Sequence, residues 1–168
     1  MDLQFLPLLP EDVPQFKIDM QEAFQNAAEQ DFKALKVQVL PEKDIDKSLN
    51  AKGAAAYKAV KNREIVGGAI VNINNDTQHN QLDLLYVKNG MQSKGLGYAI
   101  WQSLEKLYPD TKQWQTYTPY FEKRNIHFYI NTCGFKAVEF FNPRHPDPEI
   151  PPDMVGGDYF FRFVKIME

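Results

Sequence analysis

The chain has 168 residues, 43% of them apolar and 24% charged, with a net charge of −3 at pH 7 and a pI of about 5.6. That length suits one domain, residues 1–168, with a full hydrophobic core. The acidic balance excludes a global basic field for gripping nucleic acid. No stretch approaches a membrane span. The single cysteine, Cys133, excludes an internal disulfide and fits a reducing, cytoplasmic setting.

"LQFLPLL" (3–9) predicts a first strand ending at Pro10. In "EDVPQFKIDMQEAFQNAAEQ", Val13, Phe16, Met20, Phe24 and Ala27 recur at helical spacing, so one helix face is buried. "PEKDIDKSLNA" (41–51) predicts a shorter helix with Ile45 and Leu49 one turn apart. The link between them, "DFKALKVQVL", carries no assignable pattern. "AAYKAV" (55–60), "IVGGAIVNI" (65–73) and "QLDLLYV" (81–87) follow as three strands. Their short polar links predict an antiparallel meander. Leu96, Ile100, Leu104 and Leu107 mark a helix that stops at "YPD", and "KQWQTYTP" is the next strand. "FEKRNIHFYINTCGF" is helical, with Ile126, Tyr129, Ile130 and Cys133 on one face and Gly134 as its C-terminal stop. "FKAVEFF" and "YFFRFVKIM" are closing strands. Between them, the proline-rich "NPRHPDPEIPPDMVGGD" (142–158) is a long stiffened loop rather than a linker between domains.

The most informative stretch is "QSKGLG", Gln92 to Gly97, placed between a strand and a helix. The first N–H groups of a helix have no partners within it, and the helix dipole adds positive potential there. Gly95 and Gly97 let a ligand reach the backbone, and Lys94 adds a full charge. Together these features make a phosphate or pyrophosphate site. A P-loop needs Ser or Thr after the lysine, and here it is Gly95. A dinucleotide fingerprint needs a third glycine where Ile100 stands.

"VKNGMQSKGLG" resembles motif A of the GNAT N-acetyltransferases, with Gln92, Gly95 and Gly97 on its three fixed positions and Val87 at the strand end. "NIHFYINTCGF" is similar to that family's motif B, with Tyr129, Gly134 and Phe135 on its positions. The order of elements also matches: strand, two helices, three strands, helix, strand, helix, two strands. The resemblance implies an α/β (α+β) fold, with a mixed, mostly antiparallel sheet of about seven strands flanked by about four helices. It implies acetyl-CoA as co-substrate, its pyrophosphate on the backbone of Gln92, Ser93, Lys94, Gly95, Leu96, Gly97 and Tyr98. The pantetheine arm would enter where "QLDLLYV" splays from "KQWQTYTP", along Leu85, Tyr86 and Val87, with Asn125 a further contact. The alternation Leu82, Leu84, Tyr86 is broken by Leu85, which suits a bulge there. The N–H of Leu85 or Val87 would polarise the thioester carbonyl.

The same resemblance implies direct acetyl transfer to an amine of a small molecule or protein. Tyr129 would act as general acid toward the leaving thiolate. Asp83, on one strand face with Gln81, would be the base, and Gln81 cannot take that role. Pattern alone reads Tyr129 as core and Asp83 as a solvated carboxylate. A departure from motif B puts Glu122 where an Asn is usual. Cys133 reads as a buried structural residue, and His79, His127 and His145 lack metal-site spacing, so no metal site is expected. His127 reads as an exposed helix residue, and Trp101 and Trp114 as packing. Asp147, Glu149 and Asp153 in the proline loop would favour a cationic amine. That loop either walls the acceptor cleft or packs on a second subunit. The alternative from another class is a non-catalytic acyl-CoA sensor or partner-binding module with the same fold.

Overall fold

A computed structural model describes residues 3–31, 38–92, 95–150 and 159–168. Seven strands form one sheet: β1 (Gln4–Pro7), β2 (Ala54–Lys61), β3 (Glu64–Asn72), β4 (His79–Val87), β5 (Gln113–Pro119), β6 (Lys136–Phe141) and β7 (Phe160–Ile166). Their spatial order is β1-β2-β3-β4-β5-β7-β6. All neighbours are antiparallel except β4 and β5. The helices are α1 (Val13–Asp31), α2 (Glu42–Asn50), α3 (Leu96–Leu107) and α4 (Lys123–His127), which continues as a π-turn over Phe128–Thr132. The mixed sheet and four helices agree with the expected architecture.

The two sheet faces carry separate cores. Phe16 and Met20 of α1 and Ile45 of α2 pack with Ile70 and Tyr86 on one face. Leu96, Ile100, Trp101 and Leu104 of α3 pack with Trp114, Tyr129, Phe135 and Phe163 on the other. Covered on both sides, β3 is buried almost continuously, as the unbroken run "IVGGAIV" requires. Gly68 is forced by this arrangement: a Cβ there would lie 2.5 Å from the Phe16 ring and from Tyr57 O.

Several expectations need adjustment. The first strand stops at Pro7, and a single 3₁₀ turn, Pro10–Asp12, leads into α1. The second helix runs one residue shorter at each end than 41–51. The helix over 121–135 is α only to His127. Beyond it the Cys133 N–H reaches back five residues to Phe128 O at 2.9 Å. That wider turn rotates Ile130 out to solvent, although it was placed on the apolar face. The segment 32–37, Ser93, Lys94 and 151–158 lie outside the described residues.

The bulge in β4 is also displaced from its expected place. Leu84 pairs with Ile70 and Leu82 with Val71, so the extra residue is Asp83, not Leu85. The insertion changes the facing of every residue after it. Leu82 belongs to the α3 core, whereas Leu84 and Tyr86 belong to the α1 core and Leu85 returns to the α3 side. The spacing of Leu82, Leu84 and Tyr86 therefore conceals the flip at Asp83.

Candidate active site

The parallel strands β4 and β5 pair only at His79–Gln113, Asn80–Trp114 and Gln81–Gln115. One step on, the Thr116 hydroxyl donates to Leu82 O at 2.8 Å, a side-chain tie at the apex of a fork. Beyond that apex β4 keeps its partner β3 but has lost β5. The Lys88 N–H donates to Val66 O at 2.8 Å, which turns the even-numbered amides of this stretch toward β3. Strand alternation then leaves the N–H groups of Leu85 and Val87 on the edge that β5 has vacated. A cleft of about 330 Å³ lies against this edge, lined by Leu85, Tyr86 and Val87 from β4.

The start of α3 forms the next wall. Gly95 is its N-cap at φ +75°, in the left-handed region, and a Cβ there would meet only open space. The Ala99 N–H finds Gly95 O at 3.1 Å. The amides of Leu96, Gly97 and Tyr98 therefore have no acceptor within the helix, and all three residues line the cleft. Gly97 is tightly packed: a Cβ there would lie 3.2 Å from the Phe128 ring. Gln92 lines the cleft but braces the loop, its Oε1 accepting from Gly90 N–H at 2.8 Å and its Nε2 donating to Asn89 Oδ1 at 3.1 Å. Asn89 in turn donates to Glu22 O on α1.

The opposite wall is α4 and its π-turn, through Arg124, Asn125, His127, Phe128 and Thr132. Asn125 gives an amide N–H to the buried Glu122, the residue standing where motif B usually has Asn. From α1 come Ala23, Phe24 and Ala27. Pattern reading assigned Phe24 and Ala27 to the core stripe and His127 to plain surface. The one signal available in the sequence was that the stripe thins from Phe and Met to Ala at its end.

The two expected catalytic residues sit on opposite sides of the fork, and neither lines the cleft. Tyr129 is 6% exposed and packs on Phe135 and Phe163. Its hydroxyl pairs with Thr116, the residue that ties the apex. Burial, reinforced by Cys133 and Glu122, raises its pKa and keeps it protonated. Asp83, the bulged residue, faces α2, where Ser48 and Gln81 hydrogen-bond its carboxylate. Burial outweighs those bonds and lifts its pKa to about 6. Cys133 is buried in the α3 core and its thiol is pushed up to about 12 by burial, so it stays a neutral packing group. Among the described residues no three His, Cys, Asp or Glu side chains gather to hold a metal, and no helix is long and apolar enough to cross a membrane.

The Acetyltransferase (GNAT) family model matches residues 18–135. The chain is 45% identical over 165 residues to the uncharacterized protein YrkN of Bacillus subtilis (strain 168), covering 94% of this chain and 89% of that one. Among solved structures, the ribosomal-protein-S18-alanine N-acetyltransferase of Escherichia coli aligns with a TM-score of 0.70 at 14% identity, over 99% of this chain and 95% of that chain. The PaiA N-acetyltransferase of Thermoplasma acidophilum, in complex with coenzyme A, aligns at 0.68 and 15%, over 99% and 100%. An acetyltransferase of Elizabethkingia anophelis with acetyl-CoA bound aligns at 0.67 and 15%, over 98% of both chains. At these identities the solved structures share the fold.

Proposed function

Because the chain belongs to the acetyltransferase (GNAT) family, we propose that it transfers the acetyl group of acetyl-CoA directly to a primary amine of a small molecule or protein, in the cytoplasm. Acetyl-CoA is the co-substrate and supplies the activated acetyl group. The observation that carries this reading is the convergence of two sets of unpartnered amides on one cleft. Those of Leu96, Gly97 and Tyr98 sit at the positive end of α3, where a diphosphate is best held. Ser93 and Lys94 belong to the same loop in sequence, and Arg124 brings a further cation to the wall. The N–H groups of Leu85 and Val87 lie on the fork edge, suited to an extended pantetheine arm and to the oxygen of the acetyl carbonyl.

In this reading acid and base act from opposite sides of the fork. Asp83 faces α2 and takes the proton that the acceptor amine must lose, directly or through one water. The new C–N bond forms as the C–S bond breaks. Tyr129, on the α4 side, returns a proton to the departing sulfur. Burial raises the pKa of Tyr117 on β5, and the charges of Asp147 and Glu149 add to that rise. The proline loop thus brings acidic groups over the α2-side face, which favours a cationic acceptor. Asp153, from the same loop, is outside the described residues.

Thiol release from acetyl-CoA across a panel of amines tests the reading. At least one amine should drive turnover, and Tyr129→Phe should lower kcat by about 10²-fold or more with CoA affinity unchanged. Full turnover in that variant would remove Tyr129 from the role. No release with any amine would leave a binding module.

A further inference from the structure

A line of side chains crosses four strands on the α2-side face. Sheet register creates it: Gln81 stands opposite Gln115, Tyr117 opposite Arg162, and Arg162 opposite Glu139. Arg162 Nε donates to Glu139 Oε1 at 2.9 Å, and its Nη1 donates to Gln115 Oε1 at 3.1 Å. Gln115 Nε2 donates to Gln81 Oε1 at 3.4 Å and to the Tyr117 hydroxyl at 3.3 Å. Gln81 in turn hydrogen-bonds Asp83.

The direction of this line is fixed by chemistry. A guanidinium only donates, so Gln115 must turn its oxygen to Arg162 and its NH₂ away. Gln81 must then turn its oxygen to Gln115, which leaves its own NH₂ for Asp83. An ionised carboxylate only accepts, so both ends demand the same orientation of both amides. We propose that Arg162 is a positioning residue for Asp83: its guanidinium fixes the orientation of two successive glutamine amides so that the second presents N–H to the Asp83 carboxylate. Glu139 braces Arg162 from the far side, and His145 Nε2 lies 2.6 Å from Glu139 Oε2.

Arg162 lies two strands from β4, about 10 Å at ordinary strand spacing. Its charge is offset by Glu139. Its direct field at Asp83 is therefore weak, and the amides carry the effect. Among the described residues, no charged side chain figures in the Asp83 shift. From α2 comes Ser48, with Asp44 one turn before it and Lys47 beside it in sequence. β3 offers Ile70 and Val71, and β5 offers Gln115 and Tyr117. Asp19 of α1 acts on Tyr86 and Lys88 and does not figure in the Asp83 shift.

The inference rests on Asp83 as the base, so its test reads Asp83 both with and without catalysis. The carboxyl carbon of Asp83, assigned by its loss in Asp83→Asn, is titrated by NMR in the wild type, Arg162→Met, Arg162→Lys and Gln115→Leu. The acid limb of kcat/KM for thiol release is measured in parallel. Arg162→Met and Gln115→Leu should each raise the midpoint by about half a pH unit or more, and Arg162→Lys should restore much of the wild-type value. Gln115→Leu keeps the Arg162–Glu139 pair, so a shift in Arg162→Met alone would mean a direct field and overturn the relay. An unchanged midpoint in Arg162→Met would overturn it as well. Full activity in Asp83→Asn would instead remove the base assignment, while the NMR midpoints still decide the relay.

Discussion

Asp83 is the residue where burial, geometry and chemistry meet. Its carboxyl holds a proton to about 6 in the folded protein, against 3.8 when free. A base must be deprotonated to work, so turnover should climb as pH rises through about 6. Stability runs the other way. Between the two values the folded state binds more protons than the unfolded one, so this group's contribution falls as pH rises across that window. Asp83→Asn should therefore lose the acid limb and most turnover, yet gain on the order of 2 kcal/mol at pH 7. Urea melts at pH 5 and pH 7 check the second half, and an equal or lower stability at pH 7 would count against it. At this scale the sequence showed which residue types mattered but not where they point. Asp83 looked like a surface carboxylate because nothing local reveals that it is the bulged residue under α2. Tyr129 lay on a legible stripe, but its tie to the fork apex depends on Thr116, which belongs to another element.

Among elements, the contact of α3 with α4 decides the shape of the cleft. The π-turn at Phe128–Thr132 adds a residue to α4 and sets the Phe128 ring on Gly97. A Cβ at Gly97 already lies 3.2 Å from that ring, so a branched side chain would press further on it. Gly97→Val should push the two helices apart, cost about 1–3 kcal/mol in a denaturant melt, and weaken CoA binding. Unchanged CoA affinity in a folded Gly97→Val protein would show that the spacing is not critical. The sequence contained both glycines of the loop and the Phe-Tyr pair. It did not indicate that one glycine serves the backbone turn and the other serves packing. Gly95 adopts φ +75° with open space around it, whereas Gly97 is crowded.

For the whole molecule, the cleft joins α1, the edge of β4, the start of α3 and α4, with lining residues from Ala23 to Thr132. A ligand held there would bridge α1, the β4 edge and the starts of α3 and α4. Acetyl-CoA at about 100 times its Kd should add about 2.7 kcal/mol. For a chain of this size that is a rise in Tm of about 5–10 °C. No rise at saturating acetyl-CoA, read by calorimetry, would count against the cleft as its site.

The sequence by itself determined the order and type of most elements and the glycine loop at the head of α3. Each of these is written in local periodicity or spacing, which a chain carries without its partners. Only the tertiary structure decided where the fork opens, which strand edge offers free amides, and which way Asp83 and Tyr129 face. It alone aligned Arg162, Gln115 and Gln81, which are far apart along the chain, into one directed line. Those outcomes depend on strand register and helix winding, and one inserted residue in β4 or α4 reverses a face without disturbing the local pattern.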